Sequence, residues 1–370
     1  GSTVNATRDI IRNHGLTVGA FISPHLERAN ERVTINKQQI SDDDFVYYAN
    51  EVVRVVDQEL GGKFQSFFEF VTLIMFQYFA KQKVDVALIE TGIGGRLDST
   101  NVLVPEVSVI TTVSLEHTDM LGDTFAQVAS EKAGIIKEHK SVVVGVRNEE
   151  ARSVICEIAQ NKKAPLYILE DTIYIHKNAA HQTFTYEALG RRLDDVKVKM
   201  AGGHQLDNAA LAITAALLFD PTISDNVIRH SLRSASWEGR FEHILPNVIL
   251  DGAHNSEGTA ALLATLAQVA PNKRYKFVYA ALQDIDHGVS IRMMDMVATE
   301  IYFTEIHLPR ATKAEVLAAE STHKRKMINK DWRALLREQY EKLQEQELLI
   351  ITGSLYFIAE VRTFLQEELS

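Results

Sequence analysis

The chain has 370 residues, 46% of them hydrophobic and 24% charged, with a formal net charge of −10 and a pI near 5.7. That length exceeds what one hydrophobic core usually supports and predicts two domains, while the acidic balance argues against a nucleic-acid binder and leaves room for small anions at a local positive site. The single cysteine, Cys156, excludes an intrachain disulfide and a cysteine-based metal cluster.

In chain order, Gly1-Ser2-Thr3 runs straight into a helical pattern over 3–14, with Val4, Ile10 and Ile11 apolar and His14-Gly15 at its end. Val18–Ile22 reads as a short strand, and 41–60 and 66–82 have helical spacing. Val84–Glu90 reads as a strand feeding a glycine-rich loop. Val107–Thr112 is a further strand followed by the loop 113–122, then a helix over about 124–136 and a strand at Ser141–Val146. Cys156, inside Val154–Ile158, is expected to be a helix core residue. Leu166–Leu169, Thr172–Ile175, Thr183–Tyr186 and Val196–Met200 alternate with polar turns and predict a small antiparallel subsheet, after which helices resume at 204–219 and 223–234.

A second run of strands and helices follows. Strands are expected at 248–251, 275–281, 299–303 and 348–352, and helices at 256–269, 312–320, 330–345 and 355–368. The alternation predicts α/β architecture with mainly parallel sheets, and Pro246-Asn247 suggests domains over 1–243 and 244–370. No apolar run reaches the ~20 residues of a membrane span, and no basic-then-apolar signal opens the chain. The expectation is a cytoplasmic protein without membrane or nucleic-acid partners, monomeric by default.

Several motifs have the makings of chemistry. Gly1-Ser2-Thr3 ahead of a helix is either an expression scar or the end of a phosphate-binding loop, whose backbone N–H groups and hydroxyl would hold phosphate and magnesium. Glu90 ends an apolar strand and opens Thr91-Gly-Ile-Gly-Gly-Arg-Leu-Asp-Ser-Thr-Asn101, a placement that suits a magnesium ligand as well as a plain tight turn. His117 follows the next strand, so the two side chains are candidates to meet at one sheet edge. Lys132 lies late in an amphipathic helix, where a solvated lysine is the simpler reading. Asn208 sits near a helix start with Gly203-His-Gln205, Arg240 within Trp237-Glu-Gly-Arg-Phe-Glu, and Asp251 and His254 in Asp251-Gly-Ala-His-Asn255 between a strand and a helix.

Taken in order, these segments resemble the folylpolyglutamate synthase family, relatives of the bacterial Mur ligases. The resemblance covers nearly the whole chain and is carried by Ser23-Pro-His-Leu26, Asn30-Glu-Arg32, Glu90–Asn101, Glu116–Asp123, Glu131–Lys137, His204-Gln205 with Asn208, Gly239–Glu242, Asp251–Asn255 and Thr352-Gly-Ser-Leu-Tyr356. It implies a P-loop ATPase-like N-terminal domain and a smaller Rossmann-like C-terminal domain, with ATP in the cleft between them. It also implies a reaction in which the γ-phosphate passes to the folate carboxylate and L-glutamate attacks the acyl phosphate.

By the same resemblance, Gly1 and Ser2 would lie in the nucleotide site with Asn208, Arg240 and Asp251. Ser2, Glu90, His117 and Lys132 would serve two magnesium sites, with Lys132 carried as a carbamate. Lys132, Arg240 and His254 would be catalytic, and Ser23, Pro24, His25 and Leu26 would form part of a folate-side loop. The expected small molecules are folate, L-glutamate and ATP.

Two departures from the family pattern stand out. Only Gly1-Ser2 matches the family's Gly-Thr-Asn-Gly-Lys-Gly-Ser loop, so the expectation is an N-terminally truncated chain lacking the first strand and the loop lysine, and impaired in catalysis. Asp284-Ile285-Asp286 stands where the family often has Asp-Lys-Asp. Dihydrofolate synthase, a bifunctional enzyme and a non-catalytic folate- or nucleotide-binding fragment are the alternatives.

Overall fold

The structure is a computed structural model and describes residues 1–63, 66–283 and 286–368. It divides into two units, one of residues 1–199 and 205–235, the other of 200–204 and 236–370.

The first unit opens with α1 (Ser2–Asn13) and β1 (Val18–Phe21). A hairpin of β2 (Val33–Ile35) and β3 (Gln38–Gln39) follows, then α2 (Asp42–Leu60), α3 (Phe67–Gln82) and β4 (Val86–Ile89). Local chemistry sets these boundaries. Ser41 caps α2 by accepting from the Asp44 N–H, ahead of three aspartates in its first turn, and Gly61 ends it in the left-handed region at φ 62°. The sheet order is β3-β2-β1-β4, with β1 and β4 parallel and the hairpin antiparallel. Phe21, Val33, Ile74 and Phe79 fill its core. A side chain at Gly19 would meet the Phe79 ring at 2.9 Å, so α3 lies directly on β1.

The opening helix is less apolar inside than its pattern implies. Asn5, Arg8 and Asp9 are buried along with Ile10 and Ile11. Lys37, at the hairpin tip, reaches Asp9 at 2.7 Å and compensates that buried carboxylate.

A second sheet in this unit, β5 (Val107–Ile110), β6 (Ser141–Val144) and β7 (Leu166–Ile168), is wholly parallel. It packs with α5 (Phe125–Ala133) and α6 (Glu149–Asn161), and a one-turn helix α4 (Thr118–Leu121) precedes α5. Leu166–Ile168 therefore joins this parallel sheet and not the expected subsheet. The antiparallel subsheet consists of β8 (Tyr174–Asn178), β9 (Thr183–Ala188) and β10 (Arg191–Lys197). Cys156 is half-buried at the edge of the α6 packing, not inside the core. α7 (Gly203–Phe219) and α8 (Asp225–Ser234) complete the run.

The second unit is a six-stranded sheet with the order β11-β12-β16-β13-β14-β15. β12 (Val248–Leu250), β13 (Arg274–Tyr279), β14 (Ala298–Phe303), β15 (Lys326–Ile328) and β16 (Glu347–Thr352) run parallel. β11 (Glu242–Leu245) is an antiparallel edge strand on β12. This pairing draws Glu242–Leu245 into the second unit, so the change of unit comes at Ser236, ahead of the expected residue 243. The helices are α9 (Ser256–Val269), α10 (Gly288–Asp295), α11 (Ala314–Glu320), α12 (Trp332–Glu341) and α13 (Leu355–Glu368). α10 was not foreseen. Of the Asp284-Ile285-Asp286 departure, Asp284 and Ile285 lie outside the described residues.

Candidate active site

In the first unit, the head of α1 and the carboxyl ends of β1 and β4 come together. Glu90, one residue beyond β4, lies beside Gly1 and accepts from the Ser23 N–H at 3.2 Å. Thr3 Oγ1 donates to Asn208 Oδ1 at 3.2 Å, and Asn208 Nδ2 donates to Gln205 Oε1 at 3.1 Å. Gly1, Ser2, Ser23, Glu90 and Asn208 thus share one neighbourhood at a helix N-terminus, where backbone N–H groups favour an anion. Its side-chain oxygens are hard donors of the kind magnesium takes. Among the described residues no group of three or more His, Cys, Asp or Glu side chains is spaced to hold a metal, so a metal here would draw on hydroxyl and ligand oxygens beside Glu90.

His117 lies farther along, exposed, at φ 50° ahead of α4. No hydrogen bond or ion pair joins it to Glu90 among the described residues. Its neighbour Glu116 acts electrostatically on Lys132. Burial lowers the Lys132 ammonium pKa below its ordinary value, and Glu116 partly opposes that.

The glycine-rich loop is built against the end of α5 that carries Lys132. A Cβ at Gly95 would stand 2.8 Å from the Lys132 carbonyl oxygen, and one at Gly134 would stand 2.3 Å from Arg96 Cα. Arg96 adds a two-pronged pair with Glu131 at 2.9–3.2 Å. Close packing of loop on helix accounts for these two glycines; ligand access is not needed to explain them.

The loop is shaped by Asp98, which sequence reasoning did not single out. Its carboxylate accepts from the N–H groups of Gly92, Ile93 and Thr100 and from Thr100 Oγ1, at 2.6–3.1 Å. The Asp-Ser-Thr run, with its turn-forming side chains, was the available signal.

The 23–28 loop has a similar internal frame. Its Ser23–Pro24 peptide bond is cis. Glu31 accepts from the N–H groups of Leu26, Glu27 and Arg28, and Arg32 Nε donates to His25 Nδ1 at 2.8 Å.

In the second unit, Asp251 braces two turns by accepting from the Phe241 N–H at 2.8 Å and the Ala253 N–H at 2.9 Å, while Gly252 N–H donates to the Gly239 carbonyl at 2.8 Å. Desolvation pushes the Asp251 carboxyl above the usual range, opposed by the Arg240 charge and those N–H groups. Arg240 lies over Gly252, where an added Cβ would meet its Nη1 at 2.8 Å. His254 Nδ1 is 2.8 Å from the Gly252 carbonyl. A carbonyl cannot donate, so Nδ1 carries a proton and donates it to this bond. Arg240, Asp251 and His254 therefore form one cluster, with Asp251 holding the turns and the other two offering functional atoms.

Comparison with known proteins identifies the family. The Mur ligase middle domain matches residues 58–216, and the Mur ligase glutamate ligase domain matches 239–355. A Bacillus subtilis dihydrofolate synthase/folylpolyglutamate synthase is 37% identical over 98% of this chain and 87% of its own length. The structure of a bifunctional folylpolyglutamate synthase/dihydrofolate synthase from Yersinia pestis, complexed with AMPPNP and Mn ion, superposes with a TM-score of 0.90 at 30% identity, covering 99% of this chain and 86% of that one. An E. coli FolC in complex with DHPP and ADP gives a TM-score of 0.92 at 26% identity, covering 100% and 87%. With that identity held over almost its whole length, the chain belongs to the folylpolyglutamate synthase/dihydrofolate synthase family of Mur ligases.

Proposed function

We propose that the protein is an ATP-dependent acid–amino-acid ligase that joins L-glutamate to a folate through an acyl phosphate. The observation that carries this is the neighbourhood at the α1 head, where Glu90 accepts from the Ser23 N–H and Thr3 donates to Asn208, in a chain whose relatives carry that activity in their names.

The roles follow from the atoms present. The N–H groups at the head of α1 receive phosphate oxygens, and Ser2 and Glu90 are the residues that would hold magnesium there. Bound magnesium would neutralise charge on the transferring phosphoryl group. In the first unit Asn208 contacts the nucleotide; in the second, Arg240 is a forked donor suited to a phosphate, and Asp251 keeps the Arg240 and His254 turns in place. His254 lies near the incoming glutamate or the phosphates; beside the glutamate, a neutral ring takes the proton that the ammonium must lose before the free amine attacks the acyl phosphate.

His117 and Lys132 are proposed to serve a second metal position. Burial favours the neutral Lys132 amine, the form that adds carbon dioxide to give a carbamate. Ser23, Pro24, His25 and Leu26 face the folate. The protein acts as a monomer in the cytoplasm, where ATP and folates are at hand.

The test is incorporation of labelled L-glutamate into a reduced folate with ATP and magnesium, run in parallel with dihydropteroate. Incorporation into the folate alone assigns the single activity. Incorporation into both assigns the bifunctional one, which the name of the B. subtilis relative favours. No incorporation into either by folded protein overturns the ligase reading and leaves a binding role.

A further inference from the structure

α1 and α7 run side by side in the same direction. Thr3, in the first turn of α1, donates through Oγ1 to Asn208 Oδ1 at 3.2 Å, and at the far ends His14 Nε2 lies 3.1 Å from Asp220 Oδ2. With the tails tied in nearly the same register, the Thr3–Asn208 bond decides how the head of α1 stands against α7. Asn208 is itself steadied by donating to Gln205 Oε1 at 3.1 Å.

The residue before Asn208 is held from another side. Asp207 is 8% exposed, and a carboxylate so buried needs cations to meet it. Arg147, three residues beyond β6, spans both of its oxygens at 3.0 and 3.1 Å, and Lys177, in β8, reaches it at 2.8 Å. Arg147 is fixed in turn by Glu170, two residues beyond β7, at 2.7 and 3.2 Å. An acid early in a helix suits the macrodipole on any surface; the forked arginine and the second cation make this one an anchor. Successive residues of a helix point about 100° apart. Asp207 therefore faces the ends of β6 and β7 and the strand β8, while Asn208 faces α1. Two cations anchored in separate sheets thus grip α7 one residue away from the side chain that meets Thr3.

We infer that Arg147, Lys177 and Asp207 are positioning residues for the nucleotide site. By fixing the head of α7 they set Asn208 against Thr3, and so hold the α1 N–H groups where phosphate oxygens are received. They act without touching the nucleotide. The inference rests on the reading above in placing ATP at the α1 head. A cluster that only joined the antiparallel subsheet to the parallel sheet would affect stability and leave ATP affinity alone.

Calorimetric titration with magnesium–ATP, well below the unfolding transition, tests this without requiring turnover. Arg147→Met removes the fork and keeps much of the side-chain volume; Thr3→Val removes only the hydroxyl. Each should weaken ATP binding about fivefold, the scale of one hydrogen bond. Because both act through one contact, the double variant should also be about fivefold weaker, whereas independent effects would multiply to about twenty-fivefold. Arg147→Lys, a point charge without the fork, should recover only part of the loss. If Arg147→Met fails to fold, Lys177→Met takes its place in the same cycle.

Unchanged ATP affinity in either single variant, or multiplication of the two effects in the double variant, overturns the inference. ATP binding with the expected shifts in a protein that transfers no glutamate overturns the ligase reading and leaves the positioning role standing. Absence of ATP binding by the folded wild type overturns the α1-head assignment and this inference with it.

Discussion

Replacing Asp98 with alanine would remove the acceptor around which the glycine-rich loop is wound. Four donors lose it, but they are not equivalent. Gly92 and Ile93 are exposed, so water replaces the carboxylate at little cost. Thr100 is 2% exposed and presents both its N–H at 2.9 Å and its hydroxyl at 2.6 Å. Leaving those two buried donors unsatisfied costs about 1–3 kcal/mol each before relaxation, so Asp98→Ala should destabilise the first unit by about 2–4 kcal/mol. Asp98→Asn keeps one oxygen for Thr100 and turns an amide toward Gly92 and Ile93, and should cost about 1 kcal/mol. Urea unfolding read on the transition of the first unit gives the energies, and hydrogen exchange at the Thr100 amide gives the site. An Asp98→Ala protein within about 0.5 kcal/mol of wild type, or one with an unchanged Thr100 exchange rate, would refute the reasoning.

Gly134→Ala should cost about 3 kcal/mol, because its Cβ would stand 2.3 Å from Arg96 Cα and backbone must yield; Gly203→Ala meets open space in the first turn of α7 and should be neutral or stabilising in the same melts. Burial alone would raise the Glu347 pKa, but the Gln344 N–H, Lys276 and Arg274 outweigh it and hold the carboxyl below its ordinary 4.5. A depressed carboxylate contributes stability that is present above 4.5 and lost as pH falls through the folded value. Glu347→Gln should therefore be less stable than wild type near neutral pH, by about 1–3 kcal/mol, and converge with it in acid, as followed by unfolding midpoints across that range. Carbon-13-labelled bicarbonate should give a carbamate resonance that Lys132→Ala lacks, and that variant should lose ligase activity by a hundredfold or more, roughly the scale of losing one preorganised electrostatic group.

Much of the local structure is legible in the residues themselves. Repeating apolar positions, Ser41 and Ser66 as caps, Gly61 as a left-handed terminator and the strand-loop-helix order place most of the long elements within a few residues. These signals are short-range, so they survive without knowledge of partners. Asn255 likewise marks the start of α9 by capping Gly258, as its sequence position suggests.

What the tertiary structure alone decided were pairings. The strand at Leu166 looks the same whether it joins a parallel or an antiparallel sheet, and only β6 beside it settles the matter. The short strand at Glu242 becomes legible as part of the second unit only when β12 pairs with it. The buried polar face of α1 makes sense once Lys37 arrives at Asp9 from a hairpin tip.

The site shows the same division. Residue types and order pointed to Glu90, Lys132, Arg240 and His254, but their neighbours emerged only in three dimensions. Asp98, Glu31 and Arg32 act by aiming a carboxylate or a guanidinium at backbone and ring atoms brought close by folding. A sequence names the groups able to form such bonds. The distance and direction that turn them into one hydrogen bond and not another come from packing, because a bond's strength depends on geometry at the scale of tenths of an ångström.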